Sequence, residues 1–445
     1  MNTAVDPKMS TSFRLALWIA AIGALIALAL RAYYVLHAHV LQPVDQPRVS
    51  GDAVEYYRYA WNMVHHGVFA SSRPGSTEVV ANSFRDPGYP ALLALGMLVF
   101  PDFEPWYGAM LLTQATLGAL TVFLLVLTAR RWLPMWALAM AAVAMAIWPH
   151  CVTIPSFLLS ENLFAPLCAA AALATAEAAH RRTTASWCIA GFFWSLAALT
   201  NAVMVPVAAV IGVIFALRRM ETRRCVLAFV LASLVLPAAW GVRSTLIPAS
   251  STSGSRIVMN LVQGSWPSYH DDYQRAAQGS VDSIIALAAE GVEMQALSNN
   301  LGEGMRLIGQ RMGEDPGKYL RWYLSKPTLL WSWDIRIGQG DIYVYPTRDS
   351  PFKPGGLLVP LEILCFILNP LIGVLALAGA AFACLARRAR ADLMAFALAP
   401  LFATAVYTVL QSEPRYSIAL RGFEFSLAAY AIAASTRWVR ARTLK

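Results

Sequence analysis

The chain has 445 residues, 58% of them hydrophobic and only 14% charged, with a mean hydropathy of +0.52 and a formal net charge of +9. Soluble domains run near roughly a quarter charged, so this composition excludes an ordinary soluble protein and a disordered chain alike. The positive excess sits in short clusters between apolar runs, as orientation in a membrane requires, and no nucleic-acid-binding motif accompanies it.

The first apolar run, 14–36, is longer than a signal-peptide core and lacks a clear A-x-A site, so it is expected to be a retained anchor. A polar segment, 37–88, follows. Within it SGDAVEYYRYAWNMVHH, 50–66, predicts a helix over 52–66. At about 100° per residue, Asp52, Glu55, Tyr59, Asn62 and His66 share one face, and Val54, Tyr57, Trp61 and Val64 the other. Such an amphipathic helix suits the headgroup region. Asp52 with Glu55 three residues on can be read as a capping box or as two carboxylates aimed into a cavity, and the two readings are compatible. Next, SFRDPGYPALLAL, 83–95, places Arg85 and Asp86 before Pro87. The apolar stretch 89–100 is too short to cross at about 1.5 Å per residue and reads as re-entrant or interfacial.

Further spans are expected at 106–129, 134–149, 156–177, 185–201, 203–217, 225–247, 356–385, 392–411 and 422–438. Arg130-Arg131, Arg181-Arg182, the 218–224 cluster, Arg387-Arg388-Arg390, and Arg437, Arg440, Arg442 and Lys445 then all fall on one side. The positive-inside rule makes that side cytoplasmic, with both termini. The segments 37–88 and 248–355 and the short loop QSEPRYSIALRG, 411–422, face outward; SSTSGS, 250–255, reads as a flexible turn. The chain divides into an N-terminal membrane module, 1–247, an outer loop, 248–355, and a C-terminal membrane module, 356–445. The six cysteines lie in or beside apolar runs without a CxxC, as small buried apolar residues do.

Four cations, Arg85, Arg243, Lys326 and Arg415, stand on the outer side against the trend, as contacts for a phosphate or as headgroup anchors. Glu161, near the outer end of a span, is a candidate because ionisable groups there are costly, or equally a partner for a loop arginine. Tyr89 and Tyr416 are candidates to stack on sugar or lipid, or ordinary interfacial tyrosines. No HExxH spacing appears. A divalent ion between Asp52 or Glu55 and Asp271 or Asp272 is left open.

The run GD-xx-EYYxxAxN followed by RDPGYPALLAL resembles the GT-C glycosyltransferase superfamily. The likeness is to its bacterial branch of dolichyl-phosphate-mannose–protein mannosyltransferase-like and aminoarabinose transferase-like enzymes. SENLFAPL at 160–167, WGVRSTLIPASSTSGSRIVMNLVQG at 240–264, DPGKYLRWYLSKPTLLWSW at 315–333 and EPRYSIALRGF at 413–423 follow in the family's order. The resemblance implies an all-α polytopic bundle of about 10–11 transmembrane helices. Its first outer loop would bear amphipathic interfacial helices, and its second would be larger. It implies transfer of a sugar from a polyprenyl-phosphate donor to a glycolipid, polysaccharide or protein acceptor, with inversion, at the periplasmic face of a bacterial inner membrane. Asp52 matches the catalytic aspartate as general base, with Glu55 beside it. Arg85, Asp86, Tyr89, Glu161, Arg243, Lys326, Arg415 and Tyr416 would then serve substrate and phosphate. No cofactor is required on this reading, and a divalent cation is admitted. Asn201 and Ser244 depart from the family's pattern, which puts donor handling in doubt. A flippase for lipid-linked sugars and a polysaccharide polymerase or ligase are the alternatives.

Overall fold

The computed structural model describes residues 7–42, 44, 51–247, 252–386 and 389–443. Arg387, Arg388 and Lys445, invoked above for orientation, lie outside the described residues. α1 (Pro7–His37) leads to the first outer segment, which holds β1 (His39–Val40), α2 (Asp52–His66) and α3 (Gly88–Val99). The membrane bundle continues with α4 (Phe103–Ala129), α5 (Met135–Ile147), α6 (Pro149–Thr153), α7 (Glu161–Arg181), α8 (Thr184–Thr200), α9 (Val207–Leu217) and α10 (Arg223–Leu246). The large loop carries α11 (Ser253–Ser265), α12 (Tyr269–Ala277), α13 (Val281–Asn299), α14 (Leu301–Glu314), α15 (Pro316–Leu330) and β2 (Thr347–Arg348). Then come α16 (Val359–Leu385), α17 (Ala391–Val409), the single turn α18 (Pro414–Ser417) and α19 (Arg421–Thr443). The two short strands pair antiparallel, tying the end of the first helix to the end of the large loop.

Each of the ten expected spans is a helix, but they are not equal. Among the described residues seven helices are long and apolar enough to cross a membrane by themselves, and α5 with the turns after it makes up to an eighth if that pair, bent by 53°, is one span. α8 and α9 are shorter. At about 1.5 Å per residue the 11 residues of α9 reach about 17 Å, short of the roughly 30 Å hydrocarbon core. α3 ends after 12 residues, as the flanking prolines predict.

The bend after α5 has a local cause. Trp148 precedes Pro149, and a residue before proline is pushed out of the helical region; Trp148 is extended at φ −61°, ψ 123°. The carbonyls stranded at the end of α5 are taken by Arg31, a 3%-exposed arginine within α1 that the hydropathy reading passed over. Its guanidinium donates to Met145 O and Ala146 O, both at 3.2 Å.

The SSTSGS stretch is not a free turn where it is described. Thr252 caps α11, accepting from Ser255 N at 3.3 Å while Ser255 Oγ accepts from Thr252 N at 2.8 Å, a reciprocal capping box. α11 is thereby started at the membrane surface and packs on α13 and α17.

Candidate active site

α2 begins at Asp52. Its N-cap, Gly51, sits at φ +146°, a conformation open to glycine and rarely to other residues, and offers no side-chain cap. The capping-box reading is therefore overturned for Asp52, which is the first helical residue. Its carboxylate turns to guanidinium groups instead, whose charge-assisted hydrogen bonds are stronger than a bond to a backbone N–H. Arg85 Nη2 donates to Oδ1 at 2.7 Å, and Arg415 Nη2 donates to Oδ2 at 2.5 Å.

The two arginines extend this pair into a chain. Arg85 Nε donates to Glu55 Oε2 at 2.5 Å, so one guanidinium spans both carboxylates of α2, whose expected polar face is buried at Tyr59 and Asn62. Arg415 Nε lies 3.1 Å from Glu161 Oε1, at the first turn of α7. Ser160 Oγ donates to Glu161 Oε2 at 3.4 Å and accepts from Tyr56 Oη at 3.2 Å, and the Tyr56 ring lies under Arg85. Four segments distant in sequence thus meet: the start of α2, the RDP turn, the start of α7 and the last outer loop. The order Glu55, Arg85, Asp52, Arg415, Glu161 alternates in sign and holds three carboxylates to two guanidiniums.

This environment tunes Asp52. Burial opposes its charged form, but the nearby Arg85 and Arg415 outweigh burial and hold the carboxyl well below the usual carboxylate range. Arg85 is pushed the other way: burial works against its charge, and Asp52 and Glu55 more than compensate.

The remaining expected residues divide into those beside this chain and those elsewhere. Asp86 accepts from Arg256 Nη2 at 2.7 Å and from Ala202 N at 3.1 Å. It braces the RDP turn against α11 and against the break after α8. Tyr89 is buried beneath α2, edge-on to Tyr56 at 5.0 Å, and its hydroxyl donates to Gln114. It is a packing residue for the site floor, with no face open to a ligand. Tyr416 stacks on Tyr407 at 5.0 Å and lies under the Arg415 guanidinium. Arg243 is not joined to the Asp52 chain. It donates to Asn82 O at 3.1 Å and covers Trp240 and Phe69.

Lys326 departs most from expectation. It is fully buried, and its ammonium donates to Gly264 O at 2.8 Å, to Leu410 O, and more distantly to Val409 O. These are carbonyls at the C-terminal ends of α11 and α17, where a cation is favoured. Burial lowers its pKa to about 7. In this arrangement its three N–H bonds are taken and none faces a phosphate.

Sequence reasoning missed Arg256, although the same signal, an arginine on the outer side, would have found it. Tyr345 was also missed. Its hydroxyl sits 3.7 Å from where a Cβ on Gly51 would be, over the start of α2. No pattern in the sequence signals that approach.

The donor set bears on a divalent ion. Asp271 pairs with Arg336 at 2.7 Å, and Asp272 accepts from Ser283 Oγ at 3.1 Å. Both oxygens of Asp52 are engaged by guanidinium groups. Among the described residues no group of three or more His, Cys, Asp or Glu is placed to hold a metal ion. As arranged, the carboxylates around Asp52 do not fit one.

With this geometry in view, the comparisons with known proteins can be placed. Residues 85–241 match the family described as dolichyl-phosphate-mannose-protein mannosyltransferase. That stretch starts at Arg85, includes Glu161 and ends just before Arg243. No curated protein sequence matches the chain. Among solved structures, the apo oligosaccharyltransferase of Archaeoglobus fulgidus superposes with a TM-score of 0.54 at 15% identity, over 96% of this chain and 51% of that one. The same organism's AglB in complex with an inhibitory peptide and a dolichol-phosphate gives 0.53 at 15% identity, over 96% and 51%. The chain thus spans about half the length of these structures. A weaker likeness, with a TM-score of 0.39 at 15% identity over 92% and 77%, is to ArnT from Cupriavidus metallidurans bound to undecaprenyl phosphate. The expected all-α, multi-pass membrane architecture is borne out, and residues 85–241 match the dolichyl-phosphate-mannose-protein mannosyltransferase family.

Proposed function

We propose that this protein is a membrane glycosyltransferase. It moves a sugar from a polyprenyl-phosphate donor to an acceptor hydroxyl at the periplasmic face of a bacterial inner membrane, with inversion and with Asp52 as general base. The observation that carries this reading is the Asp52 carboxylate held between Arg85 and Arg415 at 2.7 and 2.5 Å. On this reading a base and two phosphate-binding cations share one point. The family signature and the oligosaccharyltransferase-like fold support the same reaction class, and the AglB structure with dolichol-phosphate supports a lipid-phosphate ligand for this fold.

The chemistry follows from the charges. A carboxylate clamped by two guanidiniums is a weak base. A donor phosphate competes with Asp52 for the same N–H groups, since carboxylate and phosphate each accept paired N–H bonds from the planar fork of arginine. When the phosphate draws Arg85 or Arg415 toward itself, one Asp52 oxygen is released and its basicity rises. That oxygen takes the acceptor's proton as the hydroxyl oxygen attacks the anomeric carbon from the face opposite the phosphate. The bond from the anomeric carbon to the phosphate oxygen breaks, and the lipid phosphate leaves with its charge neutralised by the arginines. A single base suffices, because the phosphate needs no proton to depart. Glu55 and Glu161 keep the two arginines in place and are positioning residues, and Asp86 with Arg256 fixes the turn that presents Arg85. In this scheme the arginines supply the charge neutralisation that a metal ion supplies at other phosphate sites.

The test is mass spectrometry of lipid A, surface polysaccharide and pilin-type proteins in cells lacking the protein, restored with wild type, or restored with Asp52→Asn at matched membrane level. Loss of one glycan in the null strain that Asp52→Asn does not restore supports the proposal. Full restoration by Asp52→Asn overturns the role of Asp52.

A further inference from the structure

A second cavity, of about 490 Å³, lies between α15, α16, α17 and α19. It is within the range of about 300–1,000 Å³ in which proteins take small ligands. Its lining is mostly apolar and includes Pro370, inside α16, and Pro400, inside α17. Neither proline has an N–H to give to the carbonyl four residues back, so both helix walls are interrupted at the cavity. Val374 and Leu377 also line it, yet they are 67% and 64% exposed on the outer surface of α16. The cavity therefore opens sideways, toward lipid.

Thr328, Ser332, Asn369 and Thr404 also line it, and the ionisable residue in this lining is Glu424. Glu424, 3% exposed, lines the cavity near the outer end of α19. Its Oε2 accepts from Arg421 Nη1 at 2.9 Å, and Arg421 is otherwise engaged by Asn369 Oδ1 and by the carbonyls of Trp331 and Ser332. Glu424 Oε1 has no hydrogen-bond partner although it is buried. It points at Gly373: a Cβ built there would lie 3.8 Å from it. A buried acceptor without a donor is costly, so the cavity is complete only when something supplies an O–H or N–H to that oxygen.

We propose that this cavity is a lipid site selective for a neutral, hydroxyl-bearing single-chain lipid, such as a long-chain alcohol. The hydroxyl donates to Glu424 Oε1, and the chain runs between α16 and α17 past Leu377 toward Ala380. From Gly373 to Ala380 the helix rises about 10 Å at 1.5 Å per residue, which is the length of α16 along which the chain would lie. Glu424 lines the cavity and Arg421 does not, so the group presented to a ligand's head is a carboxylate acceptor, which disfavours an anionic phosphate. The site is accordingly separate in chemistry from the Asp52 cluster, and it stands whether or not Asp52 is a base.

The experiment uses the full chain in nanodiscs, with three diazirine probes on the same C16 chain: an alcohol, a phosphate monoester and an unfunctionalised alkane. Crosslinked peptides are read by mass spectrometry. The expected result is at least tenfold more labelling of peptides from α16, α17 and α19 by the alcohol than by the other two. Unlabelled alcohol should compete it away, and Gly373→Leu, which fills the slot beside Glu424, should abolish it. Val374→Trp closes the lipid-facing mouth at an exposed position where folding is not at stake, and should reduce labelling by a similar factor. Equal labelling by all three probes, which would mark an undiscriminating acyl slot, overturns the proposal. So does the absence of labelling, which would mark a cavity filled by water, or labelling that both substitutions leave unchanged.

Discussion

Replacing Asp52 by asparagine separates chemistry from structure at the proposed active site. The carboxylate takes Arg85 at 2.7 Å and Arg415 at 2.5 Å, but each arginine keeps a second carboxylate, Glu55 at 2.5 Å and Glu161 at 3.1 Å. No buried charge is left alone, so the penalty of about 3–5 kcal/mol for breaking a buried ion pair does not apply. The amide oxygen retains one arginine and the amide nitrogen opposes the other, which costs about one charge-assisted hydrogen bond, or roughly 1.5–3 kcal/mol. Loss of a general base removes about 10²–10⁴ in rate, equivalent to about 3–5.5 kcal/mol of barrier at 1.36 kcal/mol per decade. Arg415→Met provides the contrast. It strips Glu161, 8% exposed, of its cation, and should cost about 3–5 kcal/mol of stability. The assays are sugar transfer in proteoliposomes with a polyprenyl-phosphate donor and thermal unfolding in detergent. The reasoning is refuted if Asp52→Asn keeps more than a tenth of the wild-type rate, or if it unfolds as readily as Arg415→Met.

Four further expectations follow from the geometry. The Asp52 carboxyl is held below the usual range by Arg85 and Arg415 against burial, so the acid limb of kcat/KM, which reports the free enzyme, should lie below about pH 4. Bound phosphate removes part of that clamp, so the acid limb of kcat should appear at higher pH; coincident limbs would argue against the exchange. Lys326→Met should lower the unfolding temperature without raising KM for the donor, because its ammonium already serves Gly264 and Leu410; a raised KM with unchanged melting would restore it as a phosphate ligand. Gly264→Ala would set a Cβ 2.3 Å from the Leu410 carbonyl carbon, and the overpacking should cost about 1–3 kcal/mol in thermal unfolding. Burial lifts Glu413 to about 7, and burial with the nearby Arg336 lowers His270, 3.1 Å away, to about 4. A carboxyl whose folded pKa is raised contributes stability that is present below its unfolded value, about 4.3, and is lost as pH rises through about 7. Glu413→Gln should flatten that fall in melting temperature between pH 5 and 8, by about the same mechanism as neutralising the group; an unchanged slope would assign it elsewhere.

Much of the fold was legible because a bilayer leaves a chain few choices. Backbone groups in hydrocarbon must be satisfied locally, so apolar runs become helices, and all ten expected spans are helices. The short run between Pro87 and Pro101 is a separate helix for the same local reason. α2 starts at Asp52 and ends at His66, as its amphipathic period predicts, with Gly67 left-handed at its C-cap. Where the reading failed, competition between distant groups was the cause. Asp52 and Glu55 have the spacing of a cap, yet two arginines, one 33 and one 363 residues away, outbid the backbone for the carboxylate. Arg31 reads as a flaw in an apolar run until the broken end of α5 is seen to need a donor.

By itself, then, the sequence determined that this chain crosses a membrane many times, where its helices begin and stop, and which residue types are available near its outer surface, because hydropathy and proline act over a few residues. Only the tertiary structure decided which of those residues meet. It brought Glu55, Arg85, Asp52, Arg415 and Glu161 into one chain of charges, and it sent Lys326 to helix ends and Arg243 to an aromatic shelf. The reason is physical: a buried cation takes whichever acceptor the packing of remote helices presents, and no local pattern records that choice.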